Sequence, residues 1–130
     1  MFKGMNHVGI VVKNIDEMAA FFRETFGAEE VSRTEFPELK QISSTLQVGN
    51  SFFELMEPTS PGSVVGKFLE AKGGGLHHIS LLCDDLEACC QELEAKGLSV
   101  IGKMFDGPVK VAFLHPKSAK GLLIELSQKD

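Results

Sequence analysis

The sequence predicts an α+β domain in which one strand–helix–three-strand module is written twice. Its eight strands are expected to wrap into an open, curved, mixed sheet with helices over the outer face. Three observations carry this reading. His7 and His78 stand on matching first strands, 71 residues apart. Glu54 and Glu125 end the matching runs SFFEL and LLIEL and are also 71 apart. Each first strand is followed by an Asn- or Asp-capped amphipathic helix. The modules are placed at about 3–57 and 75–127, with 58–74 as linker, inside a single domain 1–130.

The first strand is read at 5–12, rich in Val and Ile. Side chains alternate across a strand, so Met5, His7, Gly9 and Val11 share one face and Asn6, Val8, Ile10 and Val12 the other. Asn14 caps the next helix, with Glu17 in capping-box position. Ile15, Met18, Ala19, Phe22 and Phe26 recur at helical spacing, and Gly27 ends the helix. Strands at 40–48 and 51–56 meet at Gly49-Asn50. Phe53 and Leu55 point one way; Phe52, Glu54 and Met56 point the other. EPTSPGS is a connector, a short helix spans about Val64 to Ala71, and Gly73-Gly74-Gly75 is a joint.

The second module repeats the plan. Leu76, His78, Ser80 and Leu82 share a face of the strand Leu76 to Cys83. Asp85 caps a helix with Leu86, Cys89, Cys90 and Leu93 on its apolar stripe, closed by Gly97. Val109 to Leu114 and Leu122 to Leu126 are the later strands. The third strand of each module is faintly marked, near Val31 to Thr34 and Val100 to Lys103.

With 130 residues, 43% apolar and 24% charged, the chain has the size and composition of an ordinary globular domain. The net charge of −5 argues against a nucleic-acid binder, which needs a basic surface. Charge is uneven: Lys103, Lys110, Lys117 and Lys120 against Asp106 make 103–120 net +3 and leave −8 for the rest. Solvated surface lysines explain this pattern; a cradle for an anionic substrate also fits it. Cys83, Cys89 and Cys90 have no metal or redox spacing and read as small buried residues of a reduced, cytoplasmic protein. Neither a signal peptide nor a membrane-length apolar run is visible.

Two imidazoles and two carboxylates at one phase of both modules form a plausible divalent-metal site: His7, Glu54, His78 and Glu125. A carboxylate inside a sheet is costly to bury unless it is paired or binds metal. Gly9 and Ser80, two residues beyond the histidines on the same face, are small and leave room for a ligand. Mixed nitrogen and oxygen ligation suits cobalt, manganese, nickel, zinc or Fe(II) rather than a thiolate metal. Four protein ligands leave two octahedral positions for a substrate that chelates through two oxygens. His77 and His115 read as structural.

HVGIVVKNID, FELMEPTSPGSVVGKFLEAKGGGLHHIS and VAFLHPKSAKGLLIEL resemble the vicinal oxygen chelate superfamily over nearly the whole chain, most closely its methylmalonyl-CoA epimerases. The resemblance implies paired βαβββ modules around one metal-centred cavity, often as a homodimer. It matches His7, His78 and Glu125 to metal ligands, with Glu54 where the family uses Gln or Glu. It implies interconversion of R and S methylmalonyl-CoA by α-proton removal through a metal-stabilised enolate. The substrate is then an acyl-CoA, and neither nucleic acid nor membrane is a partner.

Some members carry a catalytic Glu on the strand before the Glu54 strand. That position falls here at Ser43, or at Gln41, and neither is a base at neutral pH. Both are kept as substrate-binding candidates with Lys117 and Ser118. Glu38 and Glu125 remain for proton transfer. The loop before VAFLHPKS is shortened to FDGPVK. A glyoxalase-I-like isomerase shares the same ligands, and an Fe(II) dioxygenase would use two histidines and one carboxylate. A metal-free sequestering protein of the bleomycin-resistance kind is the reading from another class.

Overall fold

A computed structural model describes residues 1–129. Its elements run β1 (Phe2–Val11), α1 (Ile15–Phe26), β2 (Glu29–Phe36), β3 (Gln41–Val48), β4 (Ser51–Pro58), α2 (Val64–Lys72) and β5 (Gly75–Cys83). They continue with α3 (Leu86–Ala95), β6 (Val100–Met104), β7 (Val109–Leu114), the 3-10 turn Pro116–Ala119 and β8 (Ile124–Lys129). This is the α+β class expected, with two strand–helix–three-strand modules and mixed pairing.

Compact units form from residues 7–77 and from residues 1–6 with 78 onward. In the first, β1 runs parallel to β4, and β3 is antiparallel to both β4 and β2. The Asn14 side chain accepts the Glu17 N–H, and Gly27 closes α1 in the left-handed region at φ 70°. Ile15, Ala19, Met18 and Phe22 of α1 pack on Ile10, Val12, Leu46 and Leu55. The start of α1 is also tied to β4, because Glu57 accepts the Ile15 N–H at 2.8 Å. Phe26, expected on the buried stripe, is more than half exposed and lies edge-on against Phe21 and Phe22.

Helix α2 corrects the expectation that helices cover the outer face. Val65, Phe68 and Leu69 pack on Val11 and Met56. These strand residues lie on the His7 and Glu54 face, opposite the face that α1 covers. The reason is that this face is polar near Glu54 but apolar at its end, and the apolar end needs a cover. Gly66 makes the close approach possible: a Cβ there would stand 2.5 Å from the Ser60 carbonyl oxygen.

The second unit repeats the pairing, with β5 parallel to β8, β7 antiparallel to β8, and β6 antiparallel to β7. Asp85 accepts the Ala88 N–H to start α3, whose Leu86, Cys89 and Cys90 pack on Cys83, Ala112 and Leu126. All three cysteines are buried in this cluster and read as packing residues, and burial pushes the Cys83 thiol up to about 12. β2 is longer than its sequence signal. Its exposed, charged side chains give an edge strand little apolar alternation to read.

Candidate metal centre

Strand pairing sets out the two halves in the same way. In the first unit, Gly9 of β1 lies opposite Glu54 of β4 in a parallel ladder. His7 stands two residues before Gly9, hence on the same face and diagonal to Glu54. The diagonal is short enough for contact: His7 Nε2 and Glu54 Oε1 are 3.5 Å apart, both side chains largely buried. In the second unit, Ser80 of β5 lies opposite Glu125 of β8, again in a parallel ladder. His78 stands two residues before Ser80, and both His78 and Glu125 are buried. The 71-residue spacing of the sequence is thus a spacing of identical ladder positions.

The donor chemistry fits a divalent cation. A distance of 3.5 Å is long for a hydrogen bond. It is close to the roughly 3 Å that separates neighbouring ligand atoms on a cation with bonds of about 2.1 Å. The Glu54 carboxylate and the His7 imidazole, both largely buried, offer the oxygen and nitrogen donors that such an ion takes.

Around Glu54 the first unit offers neutral groups. Thr45 of β3 lies opposite Glu54, and Ser43 lies opposite Met56. Gln41, Ser43, Thr45 and Gln47 therefore share the Glu54 face. Gln41 and Ser43 are buried, and the Gln41 amide donates to Ser43 Oγ at 3.0 Å. Glu38 is held apart from this group, in the exposed turn between β2 and β3. His77 packs edge-on against Phe68 of α2, ring centroids 4.9 Å apart. Burial lowers its pKa, with the Glu54 carboxylate acting in the opposite sense.

The basic stretch is divided by the fold. Lys103 Nζ is 3.0 Å from both carboxylate oxygens of Glu94 on α3 and is occupied there. Lys117 and Lys120 are exposed at the 3-10 turn. Ser118 Oγ accepts the Ser99 N–H at 2.9 Å, and its backbone N–H donates to the His115 carbonyl at 2.8 Å. His115 Nδ1 accepts the Lys117 N–H, so His115 caps this turn.

Asn6 and Ser127 were not singled out from the sequence. Asn6 Nδ2 donates to Ser127 Oγ at 2.8 Å, and Ser127 Oγ is 3.1 Å from Ser80 Oγ. The available signal was the position of Ser127, two residues beyond Glu125 and therefore on its face.

A family model described as the Glyoxalase/Bleomycin resistance protein/Dioxygenase superfamily matches residues 6–123. The chain is similar to the ethylmalonyl-CoA/methylmalonyl-CoA epimerase of Cereibacter sphaeroides, 35% identical over 133 residues spanning 98% of this chain and 99% of that protein. It is 34% identical over 128 residues to the mitochondrial methylmalonyl-CoA epimerase of Homo sapiens, spanning 95% of this chain and 73% of that protein. Among solved structures, methylmalonyl-CoA epimerase from Mycobacterium tuberculosis superposes with a TM-score of 0.92 at 28% identity, covering 99% of this chain and 89% of that one. A variant of the Streptomyces coelicolor enzyme in complex with 2-nitronate-propionyl-CoA gives 0.91 at 30% identity, covering 99% of both chains. By the extent of the family match and by relatives above 30% identity along almost its whole length, the chain belongs to the glyoxalase/bleomycin resistance/dioxygenase superfamily and to its methylmalonyl-CoA epimerase family.

Proposed function

We infer that this chain interconverts the R and S forms of methylmalonyl-CoA with one divalent cation, held by His7, Glu54, His78 and Glu125. The observation that carries the reading is the repeated register, Gly9 opposite Glu54 and Ser80 opposite Glu125, with a histidine two residues before each small residue. Within the first unit His7 Nε2 and Glu54 Oε1 stand 3.5 Å apart, and within the second His78 and Glu125 are both buried. The relatives are named for this reaction, one solved relative binds methylmalonyl-CoA, and another binds a nitronate-propionyl-CoA. The modules 3–57 and 75–127 with the connector 58–74 then act as one functional domain.

When bound, the cation supplies Lewis-acid stabilisation of the negative charge that deprotonation places on the substrate oxygens. The chain's own groups do the rest. On this reading a Glu125 carboxylate oxygen not engaged by the cation takes the α proton, breaking the C–H bond and sending its electron pair toward the thioester oxygen. A proton delivered from solvent to the opposite face of that carbon completes inversion, and the proton held by Glu125 passes to solvent. Gln41 and Ser43, neutral at all relevant pH, hold substrate by hydrogen bonds, and Glu38 is the carboxylate nearest them along the chain. Lys117 and Ser118 meet the anionic end of the acyl-CoA.

Cobalt, manganese, nickel and zinc all match the donor set. Among the described residues no helix is long and apolar enough to cross a membrane. Three buried free cysteines suit a reducing compartment, and we assign the chain to the cytoplasm as a homodimer. The test is a deuterium wash-in: methylmalonyl-CoA in D2O with metal-loaded protein should exchange its α hydrogen, and His78→Ala should not catalyse this. Exchange by neither, together with turnover of a hemithioacetal, would move the assignment to a glyoxalase-like isomerase.

A further inference from the structure

We propose that the Ser127 hydroxyl is a positioning hub that registers the strands bearing the metal ligands; this rests on the metal reading above. Three groups meet at this oxygen. Asn6 Nδ2 donates to it at 2.8 Å. Ser127 Oγ donates to the Leu81 carbonyl oxygen at 3.3 Å. With that proton committed, Ser80 Oγ, 3.1 Å away, is the donor in the remaining contact. A hydroxyl has one proton and two lone pairs, so Ser127 is saturated. Ser80 and Ser127 are both fully buried, where an unmade hydrogen bond is costly.

The partners are placed next to the ligands. Asn6 immediately precedes His7 on β1. Ser80 follows His78 by two residues on β5, and Ser127 follows Glu125 by two residues on β8. One oxygen thereby ties β1, β5 and β8 at positions one or two residues from a ligand. Slippage between β5 and β8 would turn Glu125 to the wrong face, and the parallel ladder has no hairpin to prevent it. Ligand bonds tolerate only about 0.2 Å, so even slight loosening matters to a bound cation.

The device belongs to the second module. Counted back by the repeat of 71, the positions of Ser80 and Ser127 are Gly9 and Met56, neither of which carries a hydroxyl. Met56 packs instead on Val11 and Val65 beneath α2. Apolar packing holds the first ligand pair, and a saturated hydroxyl holds the second.

The test is a cobalt(II) titration of the full chain by calorimetry and visible absorption, with melting of the metal-free protein alongside. Asn6→Ala and Ser127→Ala should each weaken cobalt binding about tenfold, the scale on which groups supporting metal ligands act. Ser127→Thr, which keeps the hydroxyl, should bind within about threefold of wild type. The double variant should bind no more weakly than Ser127→Ala, because both act through one oxygen. Should Ser127→Ala fail to fold, the half-buried Asn6→Ala carries the test by itself. Unchanged cobalt affinity in Asn6→Ala and Ser127→Ala, with only melting affected, overturns the hub and leaves the metal reading intact. A wild-type chain that binds no cobalt overturns both.

Discussion

Adding a divalent cation to metal-free protein should raise its melting temperature by about 10 °C. A ligand at one hundred times its Kd stabilises the folded state by about 2.7 kcal/mol. Unfolding entropy is about 2.1 cal/mol/K per residue. For a chain of 130 residues that sums to about 0.27 kcal/mol/K, and the quotient is about 10 °C. His78 is 7% exposed and sits in the ladder position that repeats His7, so on the proposed ligand set His78→Ala removes a donor that water replaces poorly. A loss of about 100-fold in affinity brings the free ion level with its Kd, leaving about 0.4 kcal/mol and a shift of about 1.5 °C. Glu38→Ala, in the exposed turn, should keep the full shift. The assay is differential scanning fluorimetry after chelator dialysis, with cobalt, manganese, nickel and zinc in turn. A melting temperature unmoved by all four ions, or a His78→Ala shift as large as that of wild type, would refute this ligand set.

Three other outcomes are expected. Gly66→Ala should lower stability by about 2 kcal/mol or more, since the new Cβ meets backbone oxygens of Ser60 and Pro61 at 2.5 and 2.9 Å and neither can swing away; urea unfolding checks it. Cys83, its pKa pushed up to about 12, should be roughly a thousandfold less thiolate at pH 8 than an ordinary cysteine, and Cys89 and Cys90 are shielded by burial, so native protein should resist iodoacetamide while urea-unfolded protein reacts at three sites by mass spectrometry. Lys117→Ala should raise the KM for the acyl-CoA about fivefold, the effect of about 1 kcal/mol, with kcat unchanged; Lys103→Ala, whose ammonium is taken by Glu94, should leave KM unchanged.

The duplication was legible because it is local: caps at Asn14 and Asp85, alternation around His7 and His78, and the closing glycines are all set within a few residues of chain. Strand alternation likewise placed Glu54 and Met56 on one face and Leu55 on the other. Only tertiary structure decided what alternation leaves open. It set the register in which Gly9 meets Glu54 and Ser80 meets Glu125, because parallel pairing joins the first and last strands of a module, far apart in the chain. It turned α2 onto the Met56 face, occupied Lys103 with Glu94, and gathered Asn6 and Ser80 on Ser127. Asn6 and Ser127 lie at opposite ends of the chain, and no periodicity within either strand encodes which distant hydroxyl an amide will find.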